Sequence, residues 1–215
     1  MLIQLTVTNF RSIKEPTTLS MIPLKYKEHT GNVFSVGKVD LLKSAVIYGA
    51  NASGKSNLLK AFRALQYLIV ESTNLKLEDV IPPYEPFKLD PNLKNAPVSI
   101  EMDFIAQDGI RYNYIVSYSS KEIQSEELSF YPKNQKSRLF FREKGSSIIF
   151  GDYYRGDRKT IESQLLDNQL FLSKGANSNV EQLKPVYLYF KEKLSIVPFL
   201  YNRNENQLTR LFASR

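Results

Sequence analysis

The octapeptide Gly49-Ala50-Asn51-Ala52-Ser53-Gly54-Lys55-Ser56 constrains this chain more than any other feature. Two glycines, a lysine and a serine stand at the spacing of a loop that wraps phosphate groups. Its flanks fit that reading. Ala45-Val46-Ile47-Tyr48 before it is a short apolar run, expected to be a buried strand. After it, apolar residues recur at Leu58, Ala61, Phe62 and Leu65, which is a helical period. Strand, glycine loop and helix is the order that phosphate binding by a main-chain loop requires.

The chemistry follows from residue types. Gly49 and Gly54 allow the backbone to turn where a side chain would strike a phosphate. Successive amides of Gly49, Ala50, Asn51, Ala52, Ser53 and Gly54 would then converge into an anion-binding nest. A helix starting near Lys55 adds its positive end. Lys55 would meet the β and γ phosphates as a point charge. The Ser56 hydroxyl would ligate Mg²⁺, which keeps water and phosphate oxygens as its other ligands.

Bulk properties exclude several alternatives. The 215 residues contain no cysteine and a single histidine, His29. A disulfide framework and a thiolate metal site are therefore ruled out, and a histidine-based nucleophilic triad and a typical zinc site are nearly excluded. His29 sits in a polar stretch and reads as a loop residue. No apolar run approaches the roughly 20 residues of a membrane span. The N-terminus lacks a secretion signal, so a cytoplasmic protein without membrane contact is expected. The net charge of +7 is dispersed, and reads mainly as a solvated surface.

Four regions emerge along the chain. Residues 1–75 form a P-loop nucleotide-binding core of N-terminal strands, loop and a helix over about 55–71. Residues 76–97 are a connection carrying Pro82, Pro83, Pro86, Pro91 and Pro97. Residues 98–155 alternate apolar and polar across turns at Asp108-Gly109 and Lys144-Gly145, the pattern of an antiparallel β lobe. Its tyrosines and phenylalanines read as cross-strand pairs covering a sheet face. Residues 156–215 are read as helical, with segments at 161–166 and 180–194 and an apolar run at 195–200.

Several segments together resemble a known group. Leu5 followed by Asn9-Phe10-Arg11-Ser12 is similar to the first strand of SMC-type and RecF-type ATPases, which are ABC-type heads. The loop with its flanks, Tyr48 through Asn57, resembles more closely the AAA-type ATP/GTP-binding proteins of bacterial abortive infection. So do Tyr112-Asn113-Tyr114, the run from Ile123 to Leu128, Leu139-Phe140-Phe141-Arg142-Glu143 and Asn168-Gln169-Leu170-Phe171-Leu172-Ser173.

The resemblance implies an α/β fold: a P-loop NTPase core of ABC-ATPase type with an antiparallel β-rich lobe. It implies ATP and Mg²⁺ as ligands, with Arg11, Asn51 and Asn57 near the nucleotide. It also implies heads that pair as a homodimer around nucleotide and switch an effector protein or nucleic acid, in anti-phage defence. Only the N-terminal half of such a head is matched. The apolar strand ending in Asp-Glu that such a head needs for hydrolysis is not found, so no catalytic residue is assigned. In Ile100-Glu101-Met102-Asp103 the acids alternate with apolar residues. Leu172-Ser173-Lys174-Gly175-Ala176-Asn177 echoes an ABC signature, but that signature lies later in the resembling family. Ser173, Asn177 or Gln182 would instead sense the γ-phosphate. Two alternatives stand beside ATP binding. One is a protein- or DNA-interaction module with a vestigial loop. The other is a P-loop kinase or GTPase, for which Lys133-Asn134-Gln135-Lys136 is a poor guanine reader.

Overall fold

Alternation of apolar and polar residues builds the main sheet of the protein, described here from a computed structural model. The structure describes residues 1–24, 30–51 and 53–196, so His29, Ala52 and the run at 197–200 lie outside it. Seven strands pair in the order β2-β1-β5-β6-β7-β8-β9, every neighbouring pair antiparallel. They are β1 (Leu2–Thr8), β2 (Thr17–Ser20), β5 (Val98–Ile105), β6 (Arg111–Tyr118), β7 (Ile123–Phe130), β8 (Ser137–Glu143) and β9 (Ile149–Phe150). A separate hairpin, β3 (Val33–Val36) with β4 (Val39–Leu42), joins through a small core of Ile3, Leu41 and Ile105. β1 pairs directly with β5, so the N-terminal strands and the strands of 98–150 share one sheet.

One face of this sheet is dry. Leu5, Val7, Ile100, Met102, Phe104, Tyr114, Val116, Tyr118, Leu128 and Phe140 are all fully buried. Helix α1 (Lys55–Glu71) shares their core through Leu58, Ala61, Phe62, Leu65, Leu68 and Ile69. The helical period read from the sequence is the stripe that packs. Most of the lobe's aromatic rings point into this core, where Phe104 stacks on Tyr189 and Phe140 meets Phe171 edge-on. The opposite face is polar. Glu101 accepts from Asn113, Lys136 donates to Asn113, and Asp103 holds Arg111 through two bonds. The two acids of the Ile100-Glu101-Met102-Asp103 run thus lie on the face away from α1.

Three short helices follow: α2 (Lys159–Ser163), α3 (Phe171–Asn177) and α4 (Lys184–Leu188), the last running into a π turn at Tyr189–Lys193. The helix expected from 180 begins at Lys184, with Pro185 in its first turn where a missing N–H is harmless.

The expected strand at 45–48 is not formed. These residues pair with no strand among the described residues, and Val46 and Tyr48 are 85% and 91% exposed. Apolar content predicts a strand only when a neighbour supplies the ladder. Here the sheet ends at β2 and β9 without reaching this segment.

Candidate phosphate-binding site

The loop of residues 49–56 leads into the N-terminus of α1, and its geometry rests on Gly54. This residue is left-handed at φ 93°, and a Cβ there would stand 2.9 Å from the Ser12 hydroxyl. Only glycine fits both conditions comfortably. Gly54 brings no side chain to cap α1, so the first amides of the helix keep their hydrogen-bonding capacity. Gly49 is crowded as well, since a Cβ on it would lie 3.1 Å from Ser53 Oγ.

Lys55 folds back over the loop. Its Nζ donates to the carbonyls of Gly49 at 2.8 Å and Ala50 at 2.6 Å, and more distantly to Ser53 Oγ. Among the described residues it has no carboxylate partner. Ser56 is exposed at the start of α1, as are Gly49, Ala50, Asn51 and Ser53.

The turn after β1 flanks this loop. Asn9 and Arg11 both adopt left-handed backbone, at φ 54° and 55°. Arg11 Nε donates to Asn57 Oδ1 at 3.0 Å, and Asn57 Nδ2 donates to Ser12 Oγ at 2.7 Å. Arg11 and Asn57, expected near the nucleotide from resemblance alone, are hydrogen-bonded to each other at the start of α1. The other arm of Arg11 forms an ion pair with Glu85, which the sequence reading did not single out. Asn9 is buried and ties the Pro-rich connection. Its amide donates to the carbonyls of Leu93, Ala96 and Pro97, and its carbonyl accepts from Phe87 N. The Asn-Phe-Arg-Ser motif thus holds the connection through Asn9 and Arg11, and the start of α1 through Arg11 and Ser12. A cleft of about 370 Å³ opens alongside, lined by Arg11, Lys60, Arg63, Tyr67, Pro83 and Glu85 among others.

The proposed sensors lie elsewhere. Ser173 is fully buried and donates to Ile69 O at 2.6 Å. Asn177 bonds Thr73, and Gln182 bonds Tyr153 O and Arg155 N. Ser56 and Ile69 are 13 residues apart on α1, or about 20 Å at 1.5 Å per residue. Neither Ser173 nor Asn177 can touch a phosphate at residues 49–56, and a buried Ser173 cannot serve as a signature either. The segment is instead a staple on the far end of α1. Asn168 reaches Lys76 O and Asp79 O, Gln169 reaches Thr73 O and Leu75 O, and Leu170 N reaches Ser72 Oγ.

The remaining segments of the resemblance converge on a buried carboxylate, Glu126, which is fully enclosed. It accepts from Tyr114 Oη at 2.9 Å, Phe171 N at 2.7 Å and Leu172 N at 2.9 Å, with Arg142 3.8 Å away. Arg142 also donates to Gln169 O at 2.7 Å. Burial raises the Glu126 carboxyl above its ordinary value, opposed by Arg142 and the three donors. The Tyr114 hydroxyl is likewise pushed well up, chiefly by burial. This network joins β6, β7, β8 and α3; it is structural rather than chemical.

Among the described residues, no helix is long and apolar enough to cross a membrane. No curated protein matches the chain. The model of a family described as "AAA domain, putative AbiEii toxin, Type IV TA system" matches residues 44–182, more than half of the sequence and inclusive of the whole loop. A mixed α/β chain with this loop and this match belongs to that AAA-domain family, whose members are of ATPase-like, nucleotide-binding type.

Proposed function

We propose that the chain binds ATP with Mg²⁺ at residues 49–56, as the N-terminal part of an ABC-type, SMC-like P-loop head. The observation that carries this reading is Lys55. A half-buried ammonium satisfied only by neutral oxygens lacks a counter-anion, and a phosphate chain supplies one. The site fits the group in three further respects. Gly54 leaves the first amides of α1 without a side-chain cap, Ser56 is exposed for the metal, and among the described residues no acid pairs with Lys55 to repel phosphate. Bound Mg²⁺ would neutralise phosphate charge; Ser56 is its protein ligand, and Arg11 and Asn57 flank the nucleotide.

In this reading residues 1–75 carry the nucleotide loop, 98–155 extend the same sheet through the β1–β5 pairing, and 156–215 are the path to the rest of a head. Two heads close around nucleotide as a homodimer and so gate an effector protein or nucleic acid, as part of anti-phage defence. The family match to a toxin–antitoxin ATPase domain supports that direction. Turnover by these residues is weak, because phosphate charge stabilisation without a water-positioning carboxylate gives little rate.

Calorimetric titration with Mg·ATP tests the proposal. The wild-type chain binds, and Lys55→Ala binds roughly 10- to 100-fold more weakly, from the loss of charge-assisted hydrogen bonds. Absence of wild-type binding at millimolar nucleotide refutes the proposal and favours an interaction module. Rapid hydrolysis that Lys55→Ala abolishes would refute the weak-turnover claim.

A further inference from the structure

The cations along the proximal half of α1 are not equivalent. Among the described residues, Lys55, Lys60 and Arg63 have no ion-pair partner, whereas Arg11 is paired with Glu85. Both members of that pair line the same cleft, together with Lys60 and Arg63. Glu85 is the one acid lining this cleft, which runs along α1. We propose that Glu85 is a built-in counter-anion that competes with the phosphate-bearing ligand for Arg11, an autoinhibitory contact that lowers affinity for nucleotide.

Three features support it. First, Arg11 is already held at the positive end of α1, where an anion is favoured, because its Nε binds Asn57 Oδ1 in the first turn of that helix. Second, Glu85 is anchored by its backbone. Its carbonyl accepts from Arg11 N at 2.7 Å, and the connection that carries it is tied down by Asn9 and by Tyr84 Oη on Ala96 O. The guanidinium can therefore exchange partners while the carboxylate stays where it is. Third, the side chains of the pair are 28% and 48% exposed. Ion pairs this open to water are weak, so a multiply charged phosphate chain displaces the carboxylate, yet must do so each time it binds.

This inference rests on the nucleotide reading above, and its test separates the two. Mg·ATP is titrated into the 215-residue chain, its Glu85→Gln and Arg11→Gln variants and the double variant, with thermal melts confirming the fold. Glu85→Gln binds about two- to five-fold more tightly, the worth of an exposed pair. Arg11→Gln binds more weakly, and Glu85→Gln adds no gain on top of it. Unchanged or weaker binding in Glu85→Gln overturns the proposal. So does an equal gain in the Arg11→Gln background, since Glu85 would then act without Arg11. If Glu85→Gln failed to fold, Glu85→Asp, one methylene short of the pair, would read out the same gain. A wild-type chain that ignores Mg·ATP refutes the nucleotide reading itself. A chain that binds it, loses it in Lys55→Ala and is indifferent to Glu85 refutes this inference alone.

Discussion

Replacing Glu126 by alanine would destabilise the fold more than any change at the loop. The carboxylate is completely enclosed and receives the Tyr114 hydroxyl and the amides of Phe171 and Leu172, with Arg142 close by. Its removal orphans three buried neutral donors, at about 1–2 kcal/mol each. Arg142 keeps its bond to Gln169 O but loses its only acid. Partial relaxation and water entry reduce the sum, leaving about 3–5 kcal/mol, the range for breaking a buried pair. A domain stable by roughly 5–15 kcal/mol would lose a large part of that, and its Tm would fall by about 10 °C. Urea unfolding followed by circular dichroism measures this directly; a loss below about 1 kcal/mol refutes the reasoning. Glu126→Gln supplies the pH arm. Burial raises the carboxyl above its ordinary 4.5, so the native state holds that proton more tightly than the unfolded state. Its contribution is complete below 4.5 and is lost as pH rises from there through the native value. Glu126→Gln abolishes that slope, and a slope that persists unchanged would show that Glu126 is not its source.

Two further substitutions probe the turn and the loop. Asn9→Ala deletes four hydrogen bonds to the Pro-rich connection at a left-handed position; we expect about 3 kcal/mol lost, and limited proteolysis should cut between 87 and 97 first. Gly54→Ala sets a Cβ 2.9 Å from Ser12 Oγ at φ 93°. Mg·ATP affinity should fall by about tenfold or more for 1–3 kcal/mol of local strain, while the global melt moves by only a few degrees.

Local rules made the loop and α1 readable: two glycines at fixed spacing, then Leu58, Ala61, Phe62 and Leu65 at a helical period. Strands β5 to β8 were readable for the same reason, since each alternates between turns. What escaped detection depends on distant partners. Glu126 and Glu127 are adjacent acids, yet one is enclosed and the other faces Arg138 and Lys136. Parity counted from Ile123 points Glu127 inward; the register shift between Ser117 and Tyr118, opposite Ile123, reverses it and sets Glu126 on the inner face with Leu128. The run at 45–48 failed in the opposite sense, having strand-like composition and no ladder. Ser173 and Asn177 were placed by likeness to a nucleotide-sensing region, and the length of α1 alone removes them from the site. Glu85 carried no signal at all, because its partner Arg11 is 74 residues away in sequence.

Helix α1 is fastened unequally. Its distal turns are pinned by Ser173 on Ile69, by Leu170 on Ser72, and by Gln66 on the carbonyls of Phe190 and Leu194. Among the described residues, the proximal turn is held only by Leu58 in the core and by the half-exposed side chain of Asn57. It is a cantilever, and spontaneous opening starts from the loop end. An anion bound at the loop would hold that turn closed, so that affinity there and local order would be two readings of a single equilibrium.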